Sequence, residues 1–190
     1  MFDRFTTDAR RAVTLAQGAA VTLDADAIEP EHLLLALAHD ETSVAGRALA
    51  SLGVDRATLE ERVRAAGRPD TPDPQALALV GVDLEDVRAR ADATFGAGAL
   101  DRALAEAARG RRRRGRLPLS PAARSAIAGA VEEAMRHRHR RIDPGHLLLA
   151  LAEGDERRTA APSRLLTTLG APPRAVRQAV AAAWASADAA

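Results

Sequence analysis

The sequence has no cysteine, no lysine, no asparagine and no tyrosine. Without thiols, disulfides, thiolate nucleophiles and cysteine-ligated metals are excluded. All 27 residues counted as lysine plus arginine are arginine, so Schiff-base chemistry, a phosphate-loop lysine and every lysine modification are excluded too. Aromatic residues make up only 2% of the chain, which leaves little for stacking nucleic-acid bases. No apolar run reaches the roughly 18 residues of a membrane span. Met1-Phe2-Asp3-Arg4 lacks the basic and apolar regions of a signal peptide, so a cytoplasmic protein is expected. A net charge of +1 gives no general pull toward nucleic acid or membrane.

What is present is a repeat. The stretch His32-Leu33-Leu34-Leu35-Ala36-Leu37-Ala38 returns 114 positions later as His146-Leu147-Leu148-Leu149-Ala150-Leu151-Ala152. Each copy follows an Ile-acid-Pro lead, Ile28-Glu29-Pro30 and Ile142-Asp143-Pro144, and the spacing holds back to Phe5 against Leu119. Proline at the first helical position and an unbroken apolar run describe a short helix buried on most sides. With 47% hydrophobic and 28% charged residues in 190, the chain is globular and carries one good core or two small ones.

In the first copy the three-to-four spacing of Phe5, Ala9, Val13, Ala16, Ala20 and Leu23 predicts a helix from about Thr6 to Leu23, with Thr6 as its N-cap. The Pro30 helix follows a loop over Asp24 to Ile28. A third runs from Ser43 to Leu52 and stops at Gly53; a fourth is capped by Asp55 and turns Leu59 and Val63 inward. The second copy repeats this order. Ser120-Pro121 opens its first helix, Leu169-Gly170 restates the Leu52-Gly53 stop at a spacing of 117, and Pro172-Pro173 starts a last helix carrying Val176, Val180 and Trp184. Three residues are therefore inserted near Asp155 to Ser163.

Two such four-helix units, each with a thin core, are expected to pack about a pseudo-two-fold axis in an all-α fold. The expected organisation is a first repeat over 1–66, an insertion over 67–116, and a second repeat over 117–190. Within the insertion, Arg68 to Pro74 reads as a loop, Asp83 caps a helix through Thr94 that Gly96 ends, and Leu100 to Ala108 forms another. Arg109-Gly110-Arg111-Arg112-Arg113-Arg114-Gly115-Arg116 holds six positive charges in eight residues, which predicts a solvated tether.

Met1-Phe2-Asp3-Arg4-Phe5-Thr6, Ala9-Arg10-Arg11-Ala12-Val13 and Glu31-His32-Leu33-Leu34-Leu35-Ala36-Leu37 together resemble the N-terminal repeat domain of Clp unfoldases, the ClpC type in particular. Leu117-Pro118-Leu119-Ser120-Pro121-Ala122-Ala123-Arg124 and Gly145-His146-Leu147-Leu148-Leu149 are similar to the start and signature of that family's second repeat. The resemblance covers about 1–66 and 117–185 and implies a double Clp-N repeat. It also implies a non-enzymatic peptide- or protein-binding role, with Clp substrates, adaptors or a Clp ATPase as partners and no cofactor. The segment over 68–116 is longer than the family's usual linker. Gly110-x-x-x-x-Gly115 is followed by Arg116-Leu117 where a phosphate loop needs Lys and Ser or Thr, so no ATPase chemistry is expected.

From the family, Glu31 is implied as an acidic contact to phosphoarginine, its carboxylate facing the guanidinium at a helix start that accepts phosphate. The alternative is that Glu31 only stabilises its helix end. Gly145 stands at the equivalent place in the second repeat, and Pro30 and Pro144 remove an N–H each. Phe2 and Leu119 match the positions that line the family's cyclic-peptide groove, although Leu119 offers no ring; packing of Phe2 as a core anchor is the alternative.

The histidines invite a metal reading. His137 and His139 are two apart, so on a helix they point away from each other, while His32 and His146 belong to buried helices; no carboxylate cluster completes a ligand set, and no metal site is expected. Arg111, Arg112, Arg113 and Arg114 allow phosphate contact with nucleic acid, the rival reading from another class. Steep loss of binding with salt separates it from groove binding through Phe2.

Overall fold

Each repeat begins at a hydroxyl. Thr6 accepts from the Ala9 N–H at 3.2 Å and Ser120 from the Ala123 N–H at 3.0 Å. These caps satisfy one free donor apiece and set the first turn of a helix. The computed structural model describes residues 3–67, 89–90, 92–94, 96, 98, 117–153 and 160–188. The first repeat contains α1 (Thr7–Thr22), α2 (Pro30–His39), α3 (Val44–Ser51) and α4 (Arg56–Gly67). The second contains α5 (Pro121–Arg136), α6 (Pro144–Ala152), α7 (Ala160–Thr168) and α8 (Pro173–Asp188). Among the described residues the fold is all-α, two copies of one four-helix unit.

The helix boundaries follow the local chemistry. Asp55 accepts from the Thr58 N–H at 2.8 Å and starts α4. Gly53 at φ 70° and Gly170 at φ 80° end α3 and α7 in the left-handed region. Asp24 at φ 55° and Arg138 at φ 59°, again 114 apart, make the same turn after α1 and α5. On α1 the buried stripe is Ala9, Ala12, Ala16 and Ala20, with Val13 half-buried beside it. α2 and α6 are the centre of the core: Leu33, Leu34, Leu37, Leu147, Leu148, Leu149 and Leu151 are fully buried with Phe5, Leu49, Leu59 and Leu166. Each such side chain contributes about 1.5–3 kcal/mol of transfer free energy.

Two backbone exchanges tie the repeats together. Thr6 N–H donates to the Ile142 carbonyl at 2.9 Å, and Ile142 N–H returns to the Arg4 carbonyl at 2.8 Å. Ser120 N–H donates to the Ile28 carbonyl at 3.1 Å, and Ile28 N–H returns to the Pro118 carbonyl at 2.8 Å. Moving every residue of the first set by 114 converts it into the second, which is what a two-fold relation between the repeats requires. The resulting parallel bridges, Phe5 with Ile142 and Ile28 with Leu119, are the β-type pairings among the described residues.

One compact unit comprises Met1–Val63 and Leu117–Ala190, and Arg64–Arg116 forms another. Within the first, α8 packs along α3, and Arg47 donates to the Ala183 carbonyl at 3.0 Å. In the expected insertion, 89–90 and 92–94 are helical and the Gly96 N–H closes on the Asp92 carbonyl at 2.9 Å. The expected second insertion helix at Leu100 to Ala108, and the arginine run, lie outside the described residues. So do most of the residues inserted near Asp155.

Candidate functional site

Glu31 sits in the first turn of α2, half-buried. Burial pushes its carboxyl above the usual range, its own backbone N–H works against that rise, and Glu29 adds to it. Leu119 is half-buried, with its backbone paired to Ile28, three residues ahead of Glu31. Phe2 and Arg111 to Arg114 lie outside the described residues. At the place equivalent to Glu31, a Cβ on Gly145 would meet Val44 Cγ1 at 2.9 Å and Trp184 Cζ2 at 3.0 Å. No carboxylate fits there, so a first-turn carboxylate exists in one repeat alone, while α6 keeps only its capping Asp143.

A groove of about 180 Å³ opens beside α1, α2 and α4, at residues that the sequence reading did not single out. Its apolar lining is Leu15, Ala19, Leu23, Leu35 and Ala36, and His39, Arg56 and Glu60 stand at its edge. The repeat spacing locates the corresponding positions of the second copy: Gly129, Glu133, His137, Leu149 and Ala150, with Glu153 for His39 and Arg177 for Glu60. Five of these positions differ between the copies, and Ala19 and Leu23 of the apolar trough give way to Glu133 and His137. Glu133, 5% exposed, bonds Arg136 at 2.6 Å and lies 3.9 Å from Arg177, which also pairs with Glu153. A Cβ on Gly129 would lie 3.2 Å from Ala150 Cβ, a tighter approach than ordinary contact, at the position where the first repeat has Leu15. The cue in the sequence was the pairing of Leu15 with Gly129 and Ala19 with Glu133 across the repeat.

The histidines correct one expectation. α5 ends at Arg136, and the left-handed Arg138 folds the chain back, so His137 and His139 do not diverge as they would on a helix. Their ring centroids are 5.9 Å apart, and both rings lie 4.9 Å from Trp184. His139 Nδ1 is 2.9 Å from His146 Nε2. Contrary to the sequence reading, a carboxylate does join the histidines, since ligating atoms of His139, Asp143 and His146 lie within 4.8 Å of one another.

Hydrogen bonding fixes what this group can do. The Asp143 N–H donates to His146 Nδ1 at 3.0 Å, as the Glu29 N–H does to His32 Nδ1 at 2.9 Å in the first repeat. A neutral imidazole whose Nδ1 accepts carries its proton on Nε2. His146 Nε2 is therefore a donor to His139 and has no lone pair for a cation. Both Asp143 oxygens are also engaged, one by the Gly145 N–H at 2.7 Å and the other by the Trp184 N–H at 2.7 Å. Burial would raise the Asp143 carboxyl; a protonated His146 ring, the Trp184 N–H and the Gly145 N–H outweigh it and hold it below the usual range.

Comparison with known proteins reports the same architecture. The sequence profile of the Clp repeat (R) N-terminal domain matches residues 4–69 and 118–189. The chain belongs to that family. Chaperone protein ClpC1 of Oryza sativa subsp. japonica, a chloroplastic protein, is 27% identical over 177 residues, covering 93% of this Clp repeat chain and 15% of its own length. Chaperone protein ClpB of Oceanobacillus iheyensis is 40% identical over 63 residues, 33% of the chain and 8% of that protein. The Clp repeat chain thus spans a small fraction of the curated relatives it matches. The crystal structure of the N-terminal domain of the caseinolytic protease associated chaperone ClpD from Arabidopsis thaliana superimposes with a TM-score of 0.60 at 21% identity, covering 96% of the chain and 98% of that domain. That likeness concerns the fold. No described helix is long and apolar enough to cross a membrane.

Proposed function

We propose that this Clp repeat domain is a non-enzymatic peptide- and protein-binding module of the Clp unfoldase–protease system. It acts as a substrate receiver, an adaptor, or a competitor of a motor's own N-domain. What supports the reading is the groove of the first repeat, walled by half-buried Leu15, Ala19 and Leu23 over the buried Leu35, at positions where the second repeat carries charged side chains. Burying one aliphatic or aromatic side chain there contributes about 1.5–3 kcal/mol, enough for the weak, repeated capture of unfolded segments.

Phosphoarginine recognition, if it belongs to this chain, rests on Glu31 in the first repeat alone, because Trp184 and Val44 occupy the space beside Gly145. Cyclic-peptide binding rests on Phe2 and Leu119. Both are finer forms of the same reading.

Fluorescence anisotropy with a labelled apolar peptide and a labelled phosphoarginine peptide tests it. Gly18 lines the groove, is exposed, and has nothing within 4 Å of the place a Cβ would take, so Gly18→Trp fills the groove without disturbing the core. Apolar-peptide affinity should fall about tenfold or more in Gly18→Trp and remain unchanged in Glu31→Ala. Loss of phosphoarginine binding in Glu31→Ala alone assigns that ligand to the start of α2. Failure of both peptides to bind the wild-type chain overturns the proposal.

A further inference from the structure

We propose that the second repeat carries a proton-operated latch, in which His139 and His146 fasten the 137–142 turn against Trp184 of α8 and release it when both rings are protonated. The 2.9 Å contact between His139 Nδ1 and His146 Nε2 needs one hydrogen and one lone pair. A first proton on the pair leaves that requirement met but takes from the Asp143 N–H its acceptor: His146 then carries an Nδ1–H, which faces Asp143 Oδ1 3.1 Å away, and still donates from Nε2. A second proton puts hydrogen on both nitrogens. The bond is then replaced by repulsion between two imidazolium rings.

Comparison of the repeats isolates this device from the fold. The turn is identical in both: Ala25 N–H closes on the Ala20 carbonyl at 2.9 Å, and His139 N–H on the Ala134 carbonyl at 2.8 Å. His32 and His146 make the same helix cap. Ala25 nevertheless stands where the second repeat has His139, so neither turn nor cap needs a histidine there. His139 adds the contact to His146 and ring contacts to His137 and, edge-on, to Trp184.

The charged groups around the pair come from three helices. Glu133 and Arg136 come from α5, Asp143 and Glu153 from α6 and its cap, and Arg177 from α8. His137 lies in the turn beside Arg138, Arg140 and Arg141, which are exposed. Burial lowers the His137 pKa, Glu133 opposes this, and His139, His146 and Arg177 reinforce it. His137 thus resists the proton and is a bystander.

Opening the latch has a defined reach. Trp184 follows Ala183, whose carbonyl accepts from Arg47 of α3 at 3.0 Å, so α8 is one of the elements through which the second repeat holds the first. Ile142 N–H is bonded to the Arg4 carbonyl at 2.8 Å, which joins the same turn to the N-terminal segment.

Hydrogen exchange of the His139 and Ile142 amides, with Trp184 fluorescence, followed from about pH 8 to about pH 5, tests the latch over the interval in which imidazoles change charge. Far-UV circular dichroism at each pH confirms that the helices persist. Exchange of the two amides, corrected for its intrinsic pH dependence, should accelerate about tenfold on acidification in the wild type, the loss expected for one hydrogen bond. His139→Gln keeps an acceptor for His146 and cannot titrate, so its corrected exchange should stay slow throughout. His139→Ala should be fast at both ends, and His137→Gln should behave like wild type. The same pH profile in wild type and His139→Gln overturns the proposal. So does zinc chloride that slows exchange in the wild type but not in His139→Ala, which marks a cation site instead.

Discussion

Gly145 and Trp184 fit because one of them has no side chain: a Cβ on Gly145 would stand 3.0 Å from Trp184 Cζ2. The repeat spacing gives the opposite arrangement in the first copy, where Glu31 corresponds to Gly145 and Gly67 to Trp184. Large and small residues have exchanged places between the two copies of the repeat in the sequence. One repeat thereby keeps a carboxylate in the first turn of its helix, and the other packs an indole against that turn, bonded to its capping Asp143. The same division recurs at the groove, where Ala19 and Leu23 leave open what Glu133 and His137 fill.

The first prediction concerns that fit. Gly145→Ala forces Val44 and Trp184 aside and should destabilise the domain by about 1–3 kcal/mol, the usual cost of overpacking. Urea denaturation measures it, with the midpoint falling and the slope unchanged. Adding Trp184→Leu should recover part of the Gly145→Ala loss. Independent, additive effects of the two substitutions would show that the contact does not set the cost.

A second prediction follows from the polar cluster. Glu133 Oε2 and His137 Nε2 are buried 3.8 Å apart without a hydrogen-bond partner among protein atoms. A half-satisfied buried carboxylate contributes little net stability. Arg136 and Arg177 both retain Glu153 when Glu133 is removed. Glu133→Ala should therefore change stability by no more than about 1 kcal/mol. It also recreates the Ala19 side of the first-repeat groove, so calorimetric titration with an apolar peptide should shift from one site per chain toward two. A loss of several kcal/mol would mean that the carboxylate holds the second repeat together.

Much of this was legible from residue order. The caps at Thr6, Ser120 and Asp55, the prolines opening α2 and α6, and the glycine stops at Gly53 and Gly170 are local signals, and each acts within one turn. The doubled leucine run predicted two buried central helices. What was not legible depended on events across space. The relation of His137 to His139 hinged on α5 ending one residue earlier, with Arg138 in a left-handed conformation that a non-glycine residue rarely takes. The groove is a difference between copies, visible only when Leu15 is set against Gly129 in packed helices. On α1, the alanines approach the core more closely than Val13 because a short side chain suits close contact between helices.

Gly18 supplies a third prediction, independent of any ligand. It lies inside α1, is exposed, and has no neighbour within 4 Å of an added Cβ. Alanine there lowers the backbone entropy of the unfolded chain and touches nothing, so Gly18→Ala should stabilise the domain by about 0.5–1 kcal/mol. The thermal midpoint should rise by a few degrees. Peptide affinity should change little, in contrast to Gly18→Trp, because one methyl group does not span the groove.

The last prediction is the sign of the acid response carried by the first repeat. Burial lowers the His32 pKa below its ordinary 6.5, and Glu29 opposes without cancelling the shift. His32 Nδ1 also accepts the Glu29 N–H, an acceptance that a protonated ring cannot make. The unfolded chain consequently binds this proton more readily than the folded one, and unfolding takes up protons below pH 6.5. By linkage, stability contributed at this site is fully present above 6.5 and declines as pH falls from there toward the lowered folded value. Denaturation midpoints measured from about pH 7.5 to about pH 5.5 should fall, and His32→Gln, which can still accept the Glu29 N–H, should make the decline shallower. A steeper decline in that variant would place the acid-sensitive group elsewhere and deprive the capping histidine of its assigned part.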